Sequence, residues 1–478
     1  MAAPTEVYTL RNGTRSPIGA VCLFRIPNSA APSSASAPFP STEFIATATF
    51  LTTTIHSLRT YRPVACLSAP VDPIDQLDGS SPSAKDKKVT AINVTFPLLH
   101  VQTNNYSIHI YNLIDILSSP SSPSSTSPNN HKHAPIYSIP INSLNFCKAS
   151  FYIHSSNHDH NTTNPHTLLM GTVAISQDSD NIDILNISTR EFVARNVSPA
   201  STRVSKRCDP VPAVPVKTGM VMCLRVFPES LVGDGDEIDS EREENRESGG
   251  GSTRVLVAVG YESGDVCLFR FNVDVDVDVG GDGRDKKKNN KSKSNGGGRV
   301  LWCEKLGDQP VICMDLYSTE SSTSSWRRHI ITGGAEESVT RFTLSSSSPY
   351  ESPKRTQIQL PIGSKGVTTL QARADGKVIA VACWDSMIRL YSGKSLTLLG
   401  ILGAEVHRHG ITCLSFVDEV YWPSSSTENI ADDKKDRKGG MVVGVGSGYG
   451  MRGAMDLLPK NMVAVGTEDG RIVLWRVY

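Results

Sequence analysis

The chain has 478 residues, and 48 Lys plus Arg are balanced by 48 Asp plus Glu. That balance leaves no global field to draw the protein onto nucleic acid or an acidic membrane, so any such contact has to be local. No apolar run approaches the roughly 18 residues of a membrane span, and the first residues lack a cationic stretch leading into an apolar one, so a soluble protein without a secretory leader is expected.

In chain order, the first β-prone segment is Val7-Tyr8-Thr9-Leu10, too far ahead of Ile18 to belong to the first repeat's own four strands. It is expected as the outer strand of the last sheet, beside Arg471 to Val477, because a ring closed by both chain ends has no weak seam. From Ile18 on, one unit recurs: an apolar strand, then a hairpin of two further strands. The predicted inner strands are Ile18 to Phe24, Val89 to Thr95, Ile141 to Phe146, Met220 to Val226, Val311 to Leu316, Val367 to Leu370 and Ile411 to Phe416. The hairpins begin at Phe44, Leu98, Leu168, Val255, His329, Val378 and Met462. The last is the clearest, Met462-Val463-Ala464-Val465-Gly466-Thr467 turning through Glu468-Asp469-Gly470 into Arg471-Ile472-Val473-Leu474-Trp475. Small residues before the turn and β-branched or aromatic residues after it suit the central strands of tightly packed sheets.

A hairpin-sized unit cannot bury its own apolar face, and seven of them imply an all-β, seven-bladed β-propeller occupying residues 1–478 as one domain. Seven blades of about 40 to 45 residues need only some 300, so the excess is expected in insertions. Low-complexity inserts fall near 29–41, 118–130, 234–251, 274–298 and 424–453, rich in Ser, Pro, Gly or charge. None can bury enough apolar surface to offset the entropy of ordering, and loops accommodate added length cheaply.

Ten cysteines stand mostly in apolar runs, at 22, 66, 147, 208, 223, 267, 303, 313, 383 and 413, never as C-x-x-C. Buried reduced thiols in an intracellular, reducing compartment are the expectation. Gly448-Tyr449-Gly450-Met451-Arg452-Gly453 fits a dinucleotide-binding loop, but Pro459 leaves barely two turns for the helix that such a loop requires, so a Gly-rich insert is expected instead. His131, His133, His158 and His160 lie in polar segments without a ligand set at zinc spacing and read as solvated loop. His407 and His409, just ahead of Ile411, are expected to join a buried hydrogen-bond network, partner contact being the other reading. Lys286, Lys287, Lys288, Lys291 and Lys293 read as a solvated charge run, with an import or nucleic-acid patch as the alternative. Trp302, Trp384 and Trp475 are expected to fill the packing between blades, or to expose an anchor for a partner. With no Ser/His/Asp arrangement, nucleophile elbow or phosphate loop, no catalytic, cofactor-binding or metal-ligating residue is assigned and no enzyme is expected.

The repeats resemble degenerate WD40 units, with Trp384-Asp385 preserving that dipeptide, though in a turn. Ile141-Asn142-Ser143-Leu144-Asn145-Phe146-Cys147 is similar to the third-blade inner strand of the fungal ASTRA-associated WD-repeat family. Arg62-Pro63-Val64, Thr218-Gly219-Met220, Gly260-Tyr261-Glu262-Ser263-Gly264 and the closing hairpin match that family in the same order. Thr49 to Thr52 and Gln102 to Asn105 depart from it, where the family has Gly-Asp-x-Asp-Gly and Gly-Arg-Asp-Asn turns. The resemblance implies a nuclear, non-catalytic subunit of the ASTRA complex, linked to chromatin remodelling and to maturation of phosphatidylinositol-3-kinase-related kinases. Its partners would be protein subunits of that complex, with no direct nucleic acid, membrane or small-molecule substrate. A Gβ-like or ribosome-associated adaptor is the alternative use of the same scaffold.

Overall fold

Strand after strand carries a small, wholly buried stretch such as Val378-Ile379-Ala380-Val381-Ala382-Cys383, apolar on both faces because each sheet is covered by a neighbour on either side. The computed structural model describes residues 5–11, 16–26, 43–49, 52–58, 60–68, 89–95, 97–104, 107–118, 133–142, 147–154, 167–175, 180–199, 218–229, 253–273, 298–320, 326–345, 352–403, 409–418 and 461–477. The inserts predicted near 29–41, 234–251 and 424–453, and all but the end residues of those near 118–130 and 274–298, lie outside these.

β1 (Thr5–Arg11) precedes the first blade, which is β2 (Ala20–Arg25), β3 (Glu43–Ala48), β4 (Thr52–Ser57) and β5 (Pro63–Ser68). Blade 2 contains β6 (Val89–Thr95), β7 (Leu98–Thr103), β8 (Ser107–Asn112) and β9 (Tyr137–Pro140). Blade 3 is built from β10 (Ser150–His154), β11 (Thr167–Val173), β12 (Ile182–Asn186) and β13 (Glu191–Val197). In blade 4 come β14 (Val221–Pro228), β15 (Thr253–Tyr261), β16 (Asp265–Val273) and β17 (Arg299–Lys305). Blade 5 holds β18 (Cys313–Glu320), β19 (Trp326–Gly333), β20 (Ser338–Leu344) and β21 (Lys354–Gln359), and blade 6 holds β22 (Val367–Ala372), β23 (Val378–Cys383), β24 (Ile388–Ser392) and β25 (Leu398–Leu402). β26 (Ile411–Asp418), β27 (Met462–Thr467) and β28 (Arg471–Arg476) make up blade 7, completed by β1. β1 runs antiparallel to β28 with Tyr8 opposite Leu474, as the orphan-strand reading expects. Blades 7 and 1 are further joined by a short parallel pairing of β2 with β26, Leu23 opposite Val417.

The core lies between the blades. Leu169 and Ile184 of blade 3 pack with Val257 and Phe269 of blade 4, and Ala380 and Leu390 of blade 6 with Phe416, Val465 and Val473 of blade 7. Close approach explains the small residues before the turns: a Cβ on Gly466 would lie 2.6 Å from Cys413 Sγ and 2.7 Å from Ile18 Cγ2. Polar side chains latch successive inner strands together. Ser150 Oγ accepts Val226 N–H at 3.0 Å, Asp315 Oδ2 accepts Ala372 N–H at 2.8 Å, Gln371 Oε1 accepts Phe416 N–H at 2.8 Å and Ser415 Oγ accepts Leu23 N–H at 3.1 Å. Arg225 Nε reaches Asp315 at 3.1 Å between blades 4 and 5.

Three expectations are corrected. The inner strand of blade 3 is not Ile141 to Phe146 but β10, which pairs with β11 from Ser150 on. Ahead of it, the buried Gln102 side chain takes the place of a neighbouring strand, accepting Ala149 N–H at 2.9 Å and donating to Cys147 O at 3.0 Å. Ile141 and Asn142 follow β9 outside any strand, and 143–146 lie outside the described residues. A helix not predicted from sequence, α1 (Leu113–Ser118), follows β8; Asn112 Oδ1 accepts Ile114 N–H at its start, and Leu113 and Ile116 pack against Ile55 and Leu67. Finally, Cys267 and Cys303 are not free thiols but form a disulfide, because β16 and β17 bring them directly opposite each other, 4.1 Å between Cα atoms.

Candidate interaction rim

One face of the ring carries the turns between second and third strands together with the connections that lead into the next blade. Main-chain hydrogen bonds fasten the two sets to each other. Glu262 N–H donates to Met220 O at 2.8 Å, Ala335 N–H to Pro310 O at 3.3 Å, Trp384 N–H to Gly366 O at 3.1 Å and Glu468 N–H to Gly410 O at 3.0 Å. Two glutamates close the loop in reverse, Glu468 Oε2 accepting Gly410 N–H at 3.2 Å and Glu262 Oε2 accepting Met220 N–H at 3.3 Å. A rim built this way is rigid, so a partner meets groups already in place.

Aspartates fix the turns from inside. In blade 6, Asp385 takes both Nη atoms of the buried Arg389, at 3.1 and 2.6 Å, and caps Met387 N–H at 3.0 Å. In blade 7, Asp469 accepts Thr467 Oγ1–H and Arg471 Nε–H, each at 2.5 Å. Burial would raise the Asp469 carboxyl, but those bonds outweigh it and hold the pKa below the ordinary carboxylate value. Each aspartate is thus spent on its own turn.

The tryptophans divide. Trp302 is buried against Phe342, ring centroids 5.2 Å apart, and Trp475 lies in the core between blades 6 and 7. Trp384 breaks the packing expectation: it stands in the blade 6 turn with 49% of its surface in solvent. Ile362, in the connection whose Gly366 bonds Trp384, is fully exposed. That connection is held open by Gly363, Lys365 and Gly366, all at positive φ.

His409 does not enter a buried network either; it is exposed, with Nε2 3.8 Å from Asp469 Oδ2. The buried histidines are ones the sequence reading passed over. His100 lies tilted against Phe151 with 3.9 Å between ring centroids, and His329 is held between Thr319 and Thr343 at 2.8 and 3.0 Å. Their position on central strands was the available signal. His133 is half-buried and forms no metal-type cluster, and among the described residues no group of three or more His, Cys, Asp or Glu is placed to hold a metal. His131, His158, His160, His407, Gly448 to Gly453 and the lysines from 286 to 293 lie outside the described residues. Burial pushes the thiols of Cys223 up to about 12 and Cys383 up to about 11, so both stay protonated and pack as small apolar groups.

No protein-family model matches the chain. It is 25% identical to ASTRA-associated protein 1 of Penicillium rubens over 370 residues, covering 72% of this chain and 71% of that protein. A shorter match, 28% over 146 residues, joins 30% of this chain to 29% of ASTRA-associated protein 1 of Pyricularia oryzae. Among solved structures, the Cps50 (Swd1) β-propeller domain of Myceliophteria thermophila superposes with a TM-score of 0.52 at 12% identity, covering 99% of this chain and 100% of that domain. The chain is a seven-bladed propeller of the WD40 type, and its sequence is similar to fungal ASTRA-associated protein 1 through most of the ring.

Proposed function

We propose that the protein is a non-catalytic scaffold subunit of an ASTRA complex, acting in the nucleus in chromatin remodelling and in maturation of phosphatidylinositol-3-kinase-related kinases. The observation that carries this reading is the similarity to ASTRA-associated protein 1 along 72% of the chain. The rim supports a role in assembly: its turns are tied to neighbouring connections by main-chain bonds, and its aspartates are consumed in holding shape. Binding then depends on preordered contact, with little entropy lost on docking. Tagged full-length protein, purified from its own cells and analysed by mass spectrometry, is expected to bring down ASTRA subunits and the kinases they mature. Recovery of G-protein or ribosomal subunits in their place would assign the scaffold to the adaptor class. A fluorescent fusion is expected to concentrate in the nucleus.

A further inference from the structure

The turn from β12 to β13, at the end of blade 3 away from the interaction rim, is ordered by its own side chains. Asn186 Oδ1 accepts Ser188 N–H at 3.0 Å and Thr189 N–H at 3.3 Å, and Arg190 follows with a φ of 61°, a conformation that residues other than glycine rarely adopt. From there its guanidinium lies over the ring of Tyr137 on β9, the outermost strand of blade 2, with Cζ 4.7 Å from the ring centroid. Two residues on, Phe192 stands opposite Leu185, which packs with Ile110 and Ile139 of blade 2, so Phe192 extends the same face about 7 Å along the strand. The Phe192 ring is partly exposed, and Arg195 covers it at 4.4 Å. Rings and cations thus alternate along the outer seam of blades 2 and 3.

No carboxylate is bonded to either guanidinium among the described residues. Glu191, between the two arginines in sequence, belongs to the other face of β13 because successive strand residues alternate. Asp183 is buried, and its carboxylate is taken up by Ile175 N–H at 3.0 Å and Asn196 N–H at 2.8 Å. A ring beneath a guanidinium holds it by its face and leaves its edge of N–H donors free, the fork that a carboxylate fills with two parallel bonds. Two forks are few for nucleic acid, whose affinity grows with every phosphate neutralised, and rings already covered by arginine are closed to stacking bases.

We propose that Arg190 and Arg195, seated on Tyr137 and Phe192, form a docking site for an Asp- and Glu-rich segment of a partner protein. This site rests on the scaffold reading above and names the chemistry of one of its contacts. The test uses full-length protein and a fluorescein-labelled dodecapeptide of Asp-Glu pairs around a central Leu, with a Lys-Arg peptide of the same design and a labelled dodecathymidylate as controls, read by anisotropy. The acidic peptide is expected to bind, the basic one not to, and the oligonucleotide at least about tenfold more weakly. Arg190→Ala is expected to weaken acidic-peptide binding about fivefold, Arg190→Lys about threefold because the charge stays while the planar fork is lost, and the Arg190→Ala/Arg195→Ala pair about twentyfold. Both arginines are exposed, as is Arg254 of blade 4, whose change to Ala is expected to leave binding unaltered. Wild-type affinity in the double variant, an equal loss in Arg254→Ala, failure of the acidic peptide to bind, or oligonucleotide binding as tight as peptide binding overturns the proposal. Recovery of ASTRA subunits by the wild-type protein is scored separately, so failure of the scaffold reading is distinguishable from failure of this site.

Discussion

Blades 6 and 7 turn through the same pair of positions, Trp384-Asp385 in one and Glu468-Asp469 in the other. In both, the aspartate grips an arginine of the following strand, and the preceding residue donates its N–H to the connection behind. Only Glu468 adds a side-chain bond to that connection. The turn therefore needs the aspartate and the main chain, while the residue before the aspartate can do without a side-chain bond to the connection. Blade 6 has given up the latch.

Acid sets the limits within which the two turns can be compared. Burial holds His100 neutral with its pKa lowered to about 3, and burial with the nearby Arg341 and Arg327 lowers His329 to about 4. Both values lie below the ordinary 6.5, so the stability these groups contribute is complete above that pH and drains away as pH falls toward the folded-state values. By pH 5 each is expected to have cost about 2 kcal/mol, read as a shift of the urea midpoint between pH 7.5 and pH 5. A flat profile over that range would mean that neither ring is dry. The turns should be compared at neutral pH or above.

A second way to break the comparison is to erase the difference in packing beneath the two turns, where blade 7 has Gly466 and blade 6 has Ala382. Gly466→Val forces side-chain atoms into Cys413 and Ile18 and is expected to cost about 3 kcal/mol by urea denaturation. Ala382→Gly removes one methyl from a strand and is expected to cost about 1 kcal/mol. The reverse order would show that blade 7 has room the structure denies it.

Smaller effects sharpen the contrast. Glu468→Ala forfeits the bond to Gly410 and is expected to lower stability by about 1 kcal/mol, read by urea denaturation. Trp384→Ala is expected to change stability by less than about 0.5 kcal/mol in the same measurement. Should Trp384→Ala unfold the protein as readily as Glu468→Ala, the indole would be structural after all. Among the described thiols, exposed Cys66 is expected to react first with a thiol reagent, and buried Cys22, Cys223 and Cys413 only on unfolding.

Much of this ring is legible in residue order alone. Alternating small and β-branched runs mark the hairpins, and Gly260, Gly333 and Gly466 mark where the next blade presses in. The missed features depend on partners distant in sequence. Nothing in Ile141 to Cys147 says that Gln102, from the previous blade, will hold Cys147 and Ala149 and delay strand pairing to Ser150. Cys267 and Cys303 meet only because a 36-residue excursion returns in register. Trp302, Trp384 and Trp475 occupy similar apolar contexts, and only the finished ring distinguishes the one in water from the two in the core.

The pairing of β1 with β28 has a consequence for how the protein is made. Among the described strands β1 is made before the others and its mate β28 after them, so while the blades between are synthesised its edge is open to wrong partners. A contact of such long range is closed late and slowly, and the seventh blade is then the one element whose completion certifies the whole ring.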